Sequence, residues 1–477
     1  MADVVMVGGG VVGLCGGLLL ARDGHRVTLL ERDPAAPPAA IDEAWTGWER
    51  RGVNQFRMLH YFLPRFREIV EAELPDVARA LDGAGALRTN VMDDLPASIS
   101  GGTRPGDERF AALTGRRPVV ESAVSWVAER EPGLRIRRGA AVRGLLTGPE
   151  LRWPGVTRVV GVVTEAGEEL PADLVVDVSG RRSPLPQWLT AAGARPPEEE
   201  REDSGFVYYG RHFRSYDRSL PPAFGPPLQP YDSVSVLLLP ADNGTWGVGL
   251  ITSARDDVLR AARHADVWER VVRSYPLAAH WLDGETISDG VEVMAKLEDR
   301  HRRLWVAGTP VATGIVALGD AWACTNPSVG RGASIGLLHA VCLRELLRQV
   351  PAGDRVGLVK RWDELTTDVV EPWYRETVAF DRHRLAEIDA QIEGVPYETD
   401  DPGWLHGEAL RRSGIRDPDL LRAGVAIRSL LERSADVLAR PGLVEKAMSL
   451  VPPEPPLGPS RAELVALVER ASVVGAS

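Results

Sequence analysis

The chain opens on a short apolar run, Val4 to Val7, that reads as a buried strand. Val12 to Arg22 follows, apolar on every side and carrying Gly16, Gly17 and Ala21, the pattern of a helix lying close on a sheet. RVTLLER, from Arg26, reads as a second strand, so the first thirty residues predict a parallel β-α-β unit. The loop DPAAPPAAIDEAWTG comes next, then a helix predicted from about Phe56 and another over ELPDVARALDGAGAL, ended by glycine. From Gly205 the apolar period falls to two. GFVYYGRHFR, SVSVLLLP and TWGVGLITS predict three strands of one sheet, separated by Pro-rich and Asp-Asn-Gly turns. Alternation leaves open which face meets a ligand, the one with Val207, Tyr209, Arg211 and Phe213 or the one with Phe206, Tyr208, His212 and Arg214. Tyr209 and Arg211 are the candidate catalytic pair. After about Leu346 the pattern is helical, broken by PPEPPLGP, and no internal repeat appears.

The turn between the first strand and its helix is GGGVVG. Gly8, Gly10 and Gly13 match G-x-G-x-x-G: the first permits the tight turn, the second lets backbone approach a pyrophosphate, the third lets helix and strand pack closely. The following helix start, with Val11 and Val12, carries partial positive charge toward the phosphates. Glu31 ends the second strand, beside Arg32, where a carboxylate accepts hydrogen bonds from an adenosine ribose and repels a 2'-phosphate. A dinucleotide site is therefore expected. FAD and NAD share this half, so the glycines alone do not separate them.

Composition narrows the field. With 477 residues, 44% hydrophobic and 26% charged, the chain is long enough for two or three cores of a folded protein. A net charge of -11 argues against nucleic acid as a partner. Three cysteines, Cys15, Cys324 and Cys342, show neither zinc nor disulfide spacing, which favours a reducing cytoplasm. Neither a signal peptide nor a transmembrane segment is expected.

A second stretch, GIVALGDAWACTNPSVGRGASIGLLHA, predicts a buried strand, a turn at Gly319-Asp320 and a helix of small residues around Gly332. Asp320 is placed to hold a ribityl hydroxyl, and Gly330 and Gly332 let main-chain N-H groups reach the edge of a flat ring. GDAW...NPSVGRG, which includes Pro327, resembles the second FAD motif of the flavoprotein monooxygenases related to para-hydroxybenzoate hydroxylase. ERRGVNQFRMLH, Glu49 to His60, is similar to the R-[RK]-G-V-P-Q-x-x-x-x-H segment of actinobacterial FAD-dependent epoxidases acting on polyketides. TGRRPVVESAV resembles their R-P-x-L-E helix start, and DLVVDVSGRRSPLPQWL their D-L-V-V-D-x-S-G-R-x-S strand, which contributes Gly180.

These stretches follow the family's order over most of residues 1–345. The resemblance implies an α/β protein with a Rossmann-like, glutathione-reductase-like FAD-binding domain made of residues 1–100, 101–200 and 303–345. A β-sheet substrate domain, 201–302, is interleaved with it, and a helical region, 346–477, follows. It also implies that Arg50 or Arg51 and Arg117 touch the pyrophosphate or adenosine, that the strand through Val142 carries the adenine, and that Gln55 lines the flavin pocket. His60, between Leu59 and Tyr61, is given no role.

The implied reaction is insertion of one oxygen atom from O2, by epoxidation or hydroxylation through a flavin C4a-hydroperoxide kept in a dry pocket, into a small hydrophobic secondary metabolite. NAD(P)H supplies the electrons, directly or through a separate flavin reductase. Ser179-Gly180 stands where the hydroxylases have Asp-Gly, which puts direct use of NADPH in doubt and allows a separate reductase, while Asp177, on the same face of the strand, is placed for partial compensation. The alternatives are a reductase or dehydrogenase of the geranylgeranyl reductase type, a halogenase, for which the W-x-W-x-I-P motif is missing, and a binding protein that keeps FAD as a relic.

Overall fold

A computed structural model describes every residue except 151, 352, 454–457 and 475–477. In chain order, the elements that build the site are β1 (Asp3–Val7), α1 (Val11–Arg22), β2 (Arg26–Glu31), α2 (Arg117–Ala128), β3 (Leu134–Arg138), β4 (Leu174–Asp177), β5 (Phe206–Arg214), β6 (Ser235–Pro240), β7 (Thr245–Ser253), α3 (Ala265–Arg273), β8 (Ile315–Ala317), α4 (Gly332–Gln349), α5 (Glu371–Glu393) and α6 (Arg461–Val474).

The apolar strands form a five-stranded parallel sheet in the order β8-β4-β1-β2-β3. Strand 174–177 thus lies beside the first strand and strand 315–317 beside 174–177, although long stretches of chain separate all three in sequence. Parallel strands need crossovers that cover both faces, and the core is correspondingly dry: Met6, Leu29, Val176 and Val316 are fully buried. Helix α1 packs on this sheet through Leu14, Cys15, Leu18 and Leu19. Gly16 lets it approach Met6 and Ala340, whose side-chain atoms lie 3.2 and 3.6 Å from where its Cβ would stand.

The second sheet is antiparallel, with β7 between β5 and β6 and Gly210 directly opposite Gly249. Val207, Tyr209, Phe213, Trp246 and Val248 point to one side, where α3 (Trp268, Val271) and α6 (Leu464, Val468) bury them. The other side carries Phe206, Tyr208, Gly210, His212, Gly247, Gly249 and Ile251. This is the α/β architecture expected, with helices over the C-terminal part of the chain.

The helix expected from Phe56 begins instead at Pro64 and runs to Glu73. Proline disfavours helical backbone at the residue before it and suits a helix's first turn, so Leu63 is extended and residues 52–63 form a loop. That loop crosses from the glycine turn to the second sheet. Among the described residues no helix is long and apolar enough to cross a membrane.

Candidate active site

The turn after β1 has the geometry its glycines predict. Gly8 has φ +123, and a Cβ there would lie 2.4 Å from the Val178 carbonyl oxygen; a Cβ on Gly13 would lie 2.1 Å from the Gly8 oxygen. Gly10 differs. Its Cβ would meet only the tips of Arg117 and Glu121, both at 3.9 Å, so the space in front of it is open.

Glu31, buried at the end of β2, accepts from the Gly9 N-H at 2.8 Å and the Asp33 N-H at 2.9 Å. Arg50 donates to Glu31, Glu121, Asp33 and the Gly9 carbonyl, and the three carboxylates around it hold its guanidinium protonated against burial. Arg117 pairs with Glu121 at 3.2 Å, with its tip toward Gly10. Arg51 is exposed, and Arg32, also exposed, donates to the Gly52 carbonyl at 3.0 Å. Gln55 is half-buried in the 52–63 loop. Val142 starts the strand beyond Ala140, whose N-H donates to the Glu31 carbonyl. Arg50, Arg117, Glu31 and Val142 therefore gather around the glycine turn and the end of β2, with Arg51 outside. Glu121 and Asp33 complete the cluster; no spacing in the sequence marks them, although Glu121 ends the RPVVE stretch.

The decisive contact joins the two remote motifs. A Cβ on Gly319 would lie 3.5 Å from Val12, and one on Gly336 would lie 2.6 Å from it. The Gly319-Asp320 turn, following β8, thus lies against the start of α1. Half-buried Asp320 reaches to 3.8 Å from the Cβ position of Gly332, the first residue of α4. No side chain caps α1 at Gly10 or α4 at Arg331, so two helix starts leave main-chain N-H groups for an anionic ligand. A carboxylate for a ribose, open backbone at Gly10 and a carboxylate beside Gly332 fit the two halves of FAD. Gly180, with φ +80, has open space at its Cβ position after β4.

Asp177 does not turn toward that space. It is fully buried, with one oxygen accepting from the Ser179 hydroxyl at 2.6 Å and the other from Ser183; burial pushes its carboxyl pKa up. It anchors Ser179 and Ser183.

Beside the motif loop lies a small apolar cavity of about 30 Å³, lined by Met58, Leu59, Tyr208, Leu237, Ile251, Met294 and Pro327 among others. Pro327 connects it with the Gly319–Gly332 stretch, and Gly330, with φ +67, follows against the Tyr61 carbonyl. This decides between the faces of the second sheet. Tyr209 borders the cavity, but its ring and Arg211 belong to the far side: the ring packs in the cluster with Trp268, and the Arg211 guanidinium lies 5.6 Å from the Trp268 ring. Strand alternation alone separates them from Tyr208 and His212, which face the cavity side.

A buried polar chain leads away from the cavity. The Tyr208 hydroxyl donates to Asn326 at 2.6 Å, and Asn326 donates at 3.2 Å to Asp381 of α5, which also accepts from Ser328. Burial, with Asp299 nearby, pushes the Asp381 carboxyl up to about 8. No motif in the helical pattern pointed to Asp381. Near the other end of the 52–63 loop, burial pulls both His60 and His212 down to about 3, Arg117 adding to the effect at His60 and Arg116 at His212, so both imidazoles are neutral.

No family model matches the chain. Protein Rv3254 of Mycobacterium tuberculosis is 28% identical over 385 residues, covering 77% of each chain. A D-amino-acid oxidase of Streptomyces coelicolor is 28% identical over 202 residues, 40% of this chain and 53% of that enzyme. Among solved structures, 2-methyl-3-hydroxypyridine-5-carboxylic acid oxygenase superposes with a TM-score of 0.56 at 14% identity, over 81% of this chain and 93% of that one. The fold is that of the FAD-binding monooxygenases. The OxyS anhydrotetracycline hydroxylase of Streptomyces rimosus gives 0.56 at 17% identity, over 90% and 76%. PqsL of Pseudomonas aeruginosa, a probable FAD-dependent monooxygenase, gives 0.55 at 16%, over 81% and 99%. Identities this low establish a shared architecture, and the chemistry has to be argued from the site.

Proposed function

We propose that this protein is an FAD-dependent oxidoreductase, a monooxygenase that places one oxygen atom from O2 on a small hydrophobic substrate by hydroxylation or epoxidation. The observation that carries the proposal is the contact of Val12 with the Gly319–Gly336 stretch, which brings both motifs to one place next to an apolar cavity. Glu31 accepts from the ribose, and the N-H groups at the starts of α1 and α4 meet the phosphates. Asp320 takes a ribityl hydroxyl, and Gly330 and Gly332 admit the ring edge. FAD, when bound, supplies the electrons and the activation of O2. The chain's own task is to position and to exclude water: Met58, Leu59, Ile251, Met294 and Pro327 make a wall without charge.

The assignment of residues 1–200 and 303–345 to cofactor and 201–302 to substrate belongs to the same proposal. So does the electron source. With Asp177 engaged by Ser179 and Ser183, this site offers no free carboxylate where the hydroxylases have one, which supports a separate flavin reductase. In stopped flow, NADPH alone is expected to bleach bound FAD slowly, and an added reductase system to accelerate turnover; rapid bleaching by NADPH alone would reverse this part. The central test is turnover of candidate alkenes and phenols under isotopically labelled O2. Label in the product establishes oxygen transfer, whereas a saturated, unlabelled product points to a reductase.

A further inference from the structure

The face of the second sheet that meets the cavity has a floor of glycine. Along β5 and β7 the cross-strand rows are Tyr208 with Ile251, Gly210 with Gly249, and His212 with Gly247. Glycine weakens a strand interior and leaves space above it. Here a loop residue fills that space. Cβ atoms on Gly210, Gly247 and Gly249 would stand 2.5, 2.6 and 3.2 Å from atoms of the Leu59 side chain. Leu59 comes from the 52–63 loop, outside any helix or strand, and is half-buried. The existing cavity covers the first two rows, and Leu59 closes it off from the third.

At that closed end stands His212, 2% exposed, with its Nδ1 buried and unpartnered and its Nε2 3.3 Å from the Cβ position of Gly247. Trp45 packs on its ring at 4.7 Å, with Arg57 and Arg116 stacked on Trp45. From the Tyr208 row to the His212 row the strand advances ~13 Å.

We propose that Leu59 is a removable plug over a glycine-floored trough running from Tyr208 to His212, and that the ligand of this chain is a flat, uncharged molecule that displaces Leu59 and offers a hydroxyl or carbonyl to His212. The inference rests on the cavity being the substrate site. A flat ligand lies on a floor without side chains, and an uncharged one matches a cavity whose lining has no charged residue. The neutral imidazole both donates and accepts, so it meets a hydroxyl or a carbonyl. Two further observations fit. The Tyr208 hydroxyl is already held by Asn326, so the near end needs no polar group from the ligand. The loop that carries Leu59 is held by single turn bonds, Phe56 N-H to Val53 and Met58 N-H to Gln55, and by Phe62 N-H to Thr114, rather than by a ladder or a helix.

The test is calorimetry on the FAD-loaded, full-length protein with anthrol, a linear fused-ring phenol, against naphthol as a shorter probe. Wild type should bind anthrol, and Leu59→Ala should bind it at least about tenfold more tightly by removing the displacement step, with naphthol little changed. Restoring bulk to the floor in Leu59→Ala/Gly249→Val, or in Leu59→Ala/Gly210→Ala should the first variant fold poorly, should abolish the gain. His212→Phe should weaken anthrol about tenfold and leave its methyl ether unaffected. Equal anthrol affinity in wild type, Leu59→Ala and the double variants would overturn the proposal. Binding in Leu59→Ala alone would make Leu59 a fixed wall and overturn its displacement. Failure of the wild type to take up FAD would instead remove the proposed function, and the same titrations without FAD would still read the trough.

Discussion

Gly10 and Gly13 stand three positions apart, and a side chain has opposite consequences at the two. At Gly13 a methyl group would press on the Gly8 carbonyl, so Gly13→Ala should lower stability by about 1–3 kcal/mol, read as an earlier denaturant midpoint. At Gly10 the nearest atoms are 3.9 Å from the Cβ position. Gly10→Val should therefore keep the fold, with an unfolding temperature close to wild type, while the purified protein no longer takes up yellow FAD; a colourless wild type that binds NAD would remove the FAD assignment. At the opposite half of the site, Asp320→Ala should weaken FAD retention about tenfold without changing the unfolding temperature of the cofactor-free protein, as measured by FAD titration. Unchanged affinity would reduce Asp320 to a turn residue.

Between elements, the connection from α5 to the motif loop is the one with a clear pH signature. Unfolded, the Asp381 carboxyl titrates near ~3.9. Folded, burial and the repulsion of Asp299 keep its proton on up to about 8, against the pull of Arg331 and its hydrogen bonds from Ser328 and Asn326. Between those values the folded chain holds one proton more than the unfolded chain, so this group's contribution to stability is full below ~4 and is lost as pH rises toward 8. Asp381→Asn cannot ionise. Its unfolding temperature should exceed that of wild type at pH ~9 and converge with it at pH ~4, and parallel curves would show that Asp381 does not titrate in this range.

The elements themselves were legible where one period dominates. Strands β1, β2 and β8, helix α1 and the three strands from Gly205 appear where apolar runs or alternation predict them, whereas β3, LRIRR, has no such run. Apolar residues from Phe56 continue the helical pattern upstream of the helix itself, whose start at Pro64 is governed by the proline. Alternation identifies two faces without saying which one is covered, so it does not separate Tyr209 and Arg211 from Tyr208 and His212; the covering helices α3 and α6 lie far along the chain.

For the molecule as a whole, the last described helix closes the second sheet. Arg461 of α6 makes a two-pronged ion pair with Asp256, at 2.6 and 2.9 Å, and also reaches Ser233. The Asp256 side chain is 0% exposed and that of Arg461 17%. Removing the arginine strands a buried carboxylate, so Arg461→Ala should cost about 3–5 kcal/mol in chemical denaturation. FAD uptake at the other end of the molecule should survive where the protein remains folded. An effect below 1 kcal/mol would mean that solvent reaches Asp256 once α6 loosens.

Sequence alone determined the parts whose chemistry is local. A glycine turn needs particular residues at particular spacings whatever surrounds it, a strand facing two apolar layers needs an unbroken apolar run, and an acid at the end of β2 is positioned by the strand itself. Tertiary structure decided everything that depends on which distant residues meet. It brought Val12 against Gly319 and Gly336, pointed Asp177 inward to Ser179 and Ser183, chose the Tyr208 face over the Tyr209 face, placed Asp381 behind the motif loop and laid Leu59 across three glycines. The physical reason is that such contacts arise from packing between segments separated by long stretches of chain, and no periodicity within either segment records the identity of its partner.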